Sequence, residues 1–185
     1  MFPHILGLLG ALGLCMGMGC RQTGGSDPVT PPGDPEQLEA KATLKPAAGS
    51  EVDGEVTFEQ TQEGVRVHVK VEGLTPGKHG FHIHERGDCS APDFSSAGEH
   101  YAPQGHSHGP PGATSHAGDL GNLEANTDGV AEQSIVTQHL VAEKDLRAIV
   151  GKAVIIHAQA DDFTTQPSGA SGDRVACGVI EVEGS

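Results

Sequence analysis

The stretch VRVHVKV at residues 65–71 constrains the fold most, because it places a valine at every second position and a charged or polar residue between each pair. Successive side chains of a strand point to opposite faces, so Val65, Val67, Val69 and Val71 form one apolar face while Arg66, His68 and Lys70 form a solvated one. That is the pattern of a half-buried antiparallel strand. Similar short segments occur at 39–45, 52–60, 79–85, 118–124, 129–136, 153–160 and 175–183, with Glu63-Gly64, Thr75-Pro76-Gly77 and Thr127-Asp128-Gly129 as turns between some of them. Eight strands without a long helical period predict an all-β fold, an eight-stranded antiparallel Greek-key sandwich or barrel. Residues 143–150 have room for a short helical turn at most. Two segments, 86–117 and 161–173, are rich in Gly, Pro, Ser and Asp and lack an apolar period. Loops of that length in a small domain are usually functional.

The 185 residues suit one folded domain with additional length at the N-terminus. Residues 5–19 (ILGLLGALGLCMGMG) are apolar or glycine throughout, yet are shorter than the roughly 20 residues a membrane-spanning helix needs. They predict a signal peptide over 1–19, and Gly19-Cys20 resembles a bacterial lipoprotein processing site that would leave a lipid on Cys20. Residues 20–37 hold four prolines and almost nothing large and apolar, and so predict a flexible tether ahead of a domain at 38–185. An exported chain, periplasmic or in the cell envelope and anchored through Cys20, is expected. The formal charge of −14, from 25 acidic against 11 basic residues, argues against a nucleic-acid partner, which would require clustered Lys and Arg. Eleven histidines against one tyrosine point to metal instead.

The histidines have an informative arrangement. His82 and His84 lie two apart in a predicted strand, so their rings project to one side while Ile83 turns the other way. The loop that follows carries His100, His106, His108 and His116, then Asp119, and His157 sits far downstream in the apolar strand AVIIHAQA. Even if only one of His106 and His108 serves, seven candidate ligands exceed what one first-row ion takes, so two sites are implied. Neutral imidazoles suit copper, and three histidines with one aspartate give zinc a closed tetrahedral shell. His68, His79 and His139 are left for surface or packing roles.

Six separated motifs, HGFHIHERGDC, SSAGEHYAP, HGPP, SHAGDLGN, VIIHAQADD and SGDRVACGVI, occur in this order and resemble the copper/zinc superoxide dismutase family from about Leu38 to the C-terminus. The resemblance implies one copper on His82, His84, His100 and His157 and one zinc on His100, His108, His116 and Asp119. His100 would bridge the two ions as an imidazolate, and Asp161 would link a copper histidine to a zinc histidine. For the zinc position His106 is the alternative to His108, because the stretch to His116 is a residue shorter than in familiar eukaryotic members. Cys89 and Cys177 are an even pair in an exported domain, which favours a disulfide. The resemblance implies the same bond.

The activity that the resemblance implies is conversion of two superoxide anions to O2 and hydrogen peroxide by alternate reduction and oxidation of copper. In it His100 is released and protonated between the two halves, and Arg174 attracts and orients the anion. The loop at 161–173 is shorter than in eukaryotic members and lacks their lysine, and Asp162 and Asp173 add negative charge, so weaker steering, or steering supplied from elsewhere, is expected. An exported copper- and zinc-binding protein that buffers or delivers metal is the alternative reading. Arg174 and a shared His100 favour the enzyme, because a buffer needs neither. A purely structural zinc domain would leave His82, His84 and His157 unexplained. Superoxide is the expected small-molecule partner, membrane contact is expected only through the lipid, and a homodimer is compatible with the sequence.

Overall fold

The computed structural model describes residues 38–140 and 145–184. The expected signal peptide at 1–19, the lipid site Cys20 and the tether at 20–37 lie outside the described residues. All eight period-two segments form strands: β1 (Glu39–Pro46), β2 (Asp53–Thr61), β3 (Gly64–Glu72), β4 (Gly77–His84), β5 (Asp119–Ala125), β6 (Ala131–Thr137), β7 (Ala153–His157) and β8 (Arg174–Val182). Every pairing is antiparallel. The lateral order β5-β4-β7-β8-β1-β2-β3-β6 sets β4 beside β7, β8 beside β1 and β3 beside β6. Those neighbours are distant in sequence, which is the mark of Greek-key crossovers. The two end strands, β5 and β6, lie close to each other, so the sheet nearly closes into a barrel.

The alternation in β3 sets the core. Val65, Val67, Val69 and Val71 are at most 1% exposed, and they meet Val56 and Phe58 of β2, Leu44 of β1 and Ile83 of β4 in one apolar cluster. Outward residues pair across the strands, as Arg66 does with Glu59 and Lys41 with Glu55. With few aromatics available, Val, Ile, Leu and Ala do most of the filling.

Three local differences from the sequence pattern have physical causes. β4 begins at Gly77, inside the expected turn, because Gly77 already pairs with Ala125 of β5. β7 ends at His157 rather than at 160, where its register with β8 shifts between Ile156 and His157. Beyond it Ala158 N–H donates to Asp173 C=O and Gln159 N–H to Ser171 C=O in the last loop, while Gln159 C=O accepts from Gly80 N–H of β4. The loop at 86–117 is also not wholly irregular, since Ser95–Ala97 form a 3-10 turn. The short turn expected within 143–150 is Leu146–Ile149, capped by the Asp145 side chain.

Cys89 and Cys177 are bonded to each other, 88 residues apart in sequence. The bond fastens the long loop to β8 beside a second, smaller apolar cluster of Phe94, Ala97, Ala153, Ile155 and Cys177. Both irregular registers of the barrel, at Gly80–His82 and at Ile156–His157, fall next to histidines. Such bulges re-aim side chains, and here they occur where β4 and β7 hand their histidines to the loops.

Candidate metal centre

The long loop is laid against the end of β4 by main-chain bonds. Glu85 N–H donates to Glu99 C=O, Arg86 N–H to Ala97 C=O and Tyr101 N–H to Ile83 C=O, and His84 and His100 form an isolated bridge. The two loops roof the face of β4 that carries His82 and His84, so these rings are at most 1% exposed rather than half open to water.

Two groups of donors result. His82, His84, His100 and His157 form the first, and His100, His108, His116 and Asp119 form the second; within each, one potential ligand atom per residue lies within 4.8 Å of the others. His100 belongs to both. Its ring is 4.0 Å from that of His82 between centroids, and its Nδ1 is 2.8 Å from Asp119 Oδ1. In the second group His108 Nδ1 is 3.1 Å from Asp119 Oδ2 and His116 Nδ1 is 3.3 Å from Asp119 Oδ1. A tetrahedron with metal–ligand bonds of about 2.0 Å has edges of about 3.3 Å, so this spacing suits a zinc-sized ion.

The hydrogen bonds around the rings fix which nitrogens are free. His82 Nε2 donates to Asp161 Oδ2 at 2.8 Å and His108 Nε2 donates to Asp161 Oδ1 at 2.9 Å, so one carboxylate joins the two groups from behind. His84 Nδ1 donates to Gly98 C=O at 2.8 Å, and His157 Nδ1 to Gly172 C=O at 3.1 Å. A neutral ring that donates from one nitrogen keeps its lone pair on the other. Five of the buried nitrogens without a hydrogen-bond partner are the complementary ones, His82 Nδ1, His84 Nε2, His157 Nε2 and His100 Nε2 in the first group and His108 Nδ1 in the second, and His116 Nδ1 joins them. Burying six such atoms would be costly unless something else engages them, and metal ions fit that requirement. His106 is outside both groups, and its Nδ1 donates to Ser115 C=O at 3.2 Å. Of the two histidines considered for that position, His108 is the one brought together with His100, His116 and Asp119.

Several supporting residues carried no sequence signal of their own. His79 is buried and donates from Nδ1 to His157 C=O at 2.9 Å, which gives a packing histidine the added task of holding the end of β7. The Asn122 side chain clasps Asp161 by accepting from its N–H at 2.7 Å and donating to its C=O at 3.0 Å. Gly98, at φ 76°, is in a conformation that favours glycine. Its carbonyl receives both His84 Nδ1 and Arg174 Nη2, the latter at 2.7 Å, while Arg174 Nη1 donates to Phe94 C=O at 2.7 Å. One carbonyl thus couples a histidine of the first group to the arginine. Asp162, expected to add negative charge, accepts from the Thr165 hydroxyl, Thr165 N–H and Thr164 N–H, which hold its pKa well below the usual carboxylate range and so keep that charge in place.

Burial keeps the imidazoles neutral. It holds His82 and His84 well below the ordinary histidine value, pushes His157 down to about 4 and lowers His116. For Asp119 burial acts upward, but the His100 hydrogen bond, the Gly109 N–H and the nearby rings outweigh it, so the net direction is down. A depressed histidine pKa makes the unfolded chain bind more protons than the folded one as pH falls, so the associated stability is present above about 6.5 and lost toward about 4. Freed of metal, the protein is expected to lose stability over that window, roughly 3 kcal/mol from His157 alone. Urea unfolding at about pH 7.5 and about pH 4.5 measures this, and equal midpoints would contradict it.

Fold and site together define a β-barrel metalloprotein with two adjoining donor groups that share one imidazole. A family model for copper/zinc superoxide dismutase matches residues 52–180, and the chain belongs to that family. It is 42% identical over 143 residues to the extracellular superoxide dismutase [Cu-Zn] of Drosophila melanogaster, covering 72% of this chain and 78% of that one. It is 39% identical over 146 residues to the superoxide dismutase [Cu-Zn] of Onchocerca volvulus, covering 72% and 91%. As a family member it is a copper- and zinc-dependent oxidoreductase. The donor chemistry fits both ions, with an all-imidazole group for copper and a three-nitrogen, one-carboxylate group for zinc.

Proposed function

We propose that this chain dismutates superoxide, with copper held by His82, His84, His100 and His157 and zinc by His100, His108, His116 and Asp119. The observation that carries the reading is His100, whose Nδ1 belongs to one donor group while its unpartnered Nε2 belongs to the other. Copper, when bound, supplies the one-electron couple that oxidises one superoxide to O2 and reduces a second to hydrogen peroxide, which zinc cannot supply. Peroxide needs two protons. His100 Nε2, buried within the first group, would hold one of them in the half of the cycle in which it is not a ligand, and water would supply the other. Arg174 binds and orients the anion. Its guanidinium is fixed by Phe94 and Gly98 carbonyls and so presents its remaining N–H groups in a set direction. Asp161 holds His82 and His108 in the tautomers that the two ions require. The catalytic domain is residues 38–185, exported behind a signal peptide at 1–19 and tethered through 20–37 from a lipid on Cys20. A lipid-bearing peptide starting at Cys20 in mass spectra tests the export route.

Arg174→Ile tests the enzymatic part, since it removes a charge without touching a donor. A chain at −14 repels an anion on average, so turnover depends on a local positive focus. Electrostatic focusing is worth about 10- to 1,000-fold in encounter rate, and the variant should lose about tenfold or more at low salt with its copper content intact. The wild-type rate should also fall with ionic strength more steeply than the variant's. Full activity with an unchanged salt profile would show that Arg174 does not guide substrate.

A further inference from the structure

The loop at 161–173 reaches His108 at three points. Asp161 supplies the carboxylate already described. Gly169, at φ 68°, passes so close that a Cβ there would lie 2.6 Å from His108 Nε2 and collide with Asp161 Oδ1. The third contact is of another kind. Gln166, 58 residues away in sequence, pairs with the main chain of His108 in both directions: its Nε2 donates to His108 C=O at 2.9 Å, and its Oε1 accepts from His108 N–H at 3.0 Å.

A side-chain amide carries a donor and an acceptor at the spacing of a peptide's own N–H and C=O, so this pairing acts like one rung of a sheet. It fixes the position and the plane of the backbone from which the His108 ring hangs. The loop that presents Gln166 is itself held. Asp162 caps Thr164 and Thr165, Gly169 N–H donates to Thr165 C=O at 2.6 Å, and Asp162 N–H donates to Gly169 C=O at 2.9 Å. On the other side of the ring, Gly109 N–H donates to Asp119 Oδ2 at 3.1 Å. His108 is therefore clasped through its ring by Asp161 and through its main chain by Gln166.

We propose that Gln166 is a positioning residue for the zinc group, setting the His108 main chain so that Nδ1 meets the other three donors. The inference rests on the two-metal reading above. Each net hydrogen bond to a neutral partner corresponds to about a two- to tenfold change in an equilibrium, so loss of the amide should weaken metal at this group about three- to tenfold.

The test uses the full chain with Gln166→Ala and Gln166→Met, the second keeping length and bulk without the amide. Cobalt(II) affinity at the second group, the cobalt d–d absorption, copper affinity at the first group and the urea midpoint of the metal-free protein are measured in each. Both variants should bind cobalt about three- to tenfold more weakly with a shifted absorption band, while copper affinity stays at the wild-type value and the metal-free midpoint falls only by what two lost hydrogen bonds account for. A Met variant with wild-type cobalt affinity and spectrum would overturn the proposal by showing that bulk alone suffices. A parallel fall in copper affinity and in the metal-free midpoint would overturn it too, since the residue would then be a general brace. If wild type binds cobalt and the variants bind it equally well, the positioning role alone fails. A wild-type chain that takes no cobalt at this group would overturn the two-metal reading and the inference with it.

Discussion

His100→Ala should lower dismutation at least about a hundredfold while leaving the barrel folded. Replacing a residue that only orients a metal ligand typically costs 10- to 100-fold, so removing a ligand shared by both ions should cost at least the upper end of that range. The variant leaves three donors in each group, His82, His84 and His157 on one side and His108, His116 and Asp119 on the other. The bonds that lay the loop against β4, Glu85 N–H to Glu99 C=O and Tyr101 N–H to Ile83 C=O, are main-chain bonds and do not need the imidazole. A wild-type protein with copper in both positions should show magnetic coupling through the ring, and the variant should show none. Activity within about tenfold of wild type, or coupling that survives, would remove His100 from the shared position.

The disulfide carries the second large effect. Closing an 88-residue loop contributes about 4 to 5 kcal/mol in the chain-entropy account, so reduction, or Cys177→Ser, should lower stability by about that amount. The consequence reaches the site as well. Cys89 and Cys177 pack with Phe94 in the smaller cluster, and the Phe94 carbonyl receives Arg174 Nη1. The reduced protein should therefore lose turnover about as Arg174→Ile does, roughly tenfold, with its metal donors untouched. Urea unfolding with and without reductant, paired with turnover below the transition, measures both. A stability change under about 1 kcal/mol, or full turnover after reduction, would contradict this account.

How far the sequence could be read follows from what each signal depends on. The alternation of VRVHVKV depends only on neighbours along the chain, so β3 and its buried valines were legible within a residue. The pairing of His82 with His84 was legible for the same reason. Their burial was not, because it comes from loops that fold back over β4 from positions up to about 90 residues away. The choice between His106 and His108 depended on the path of the long loop, which spacing alone leaves open. Gln166 and Asn122 gave no sign at all, since an amide that clasps a main chain 58 or 39 residues distant looks in sequence like any polar loop residue. Gly98 was visible only as part of a motif. Its task, one carbonyl shared by His84 and Arg174, appears once β4, the loop and β8 are seen together.

The central claim is that two different ions share His100 and that one of them turns over superoxide. It is tested most directly by elemental analysis of the reconstituted chain coupled to a superoxide assay on the same sample. The account predicts one copper and one zinc per chain, with dismutation that rises with copper content and is absent from the zinc-only form. Two coppers with no preference for zinc, zinc alone, or a fully loaded protein that removes superoxide no faster than buffer would contradict it.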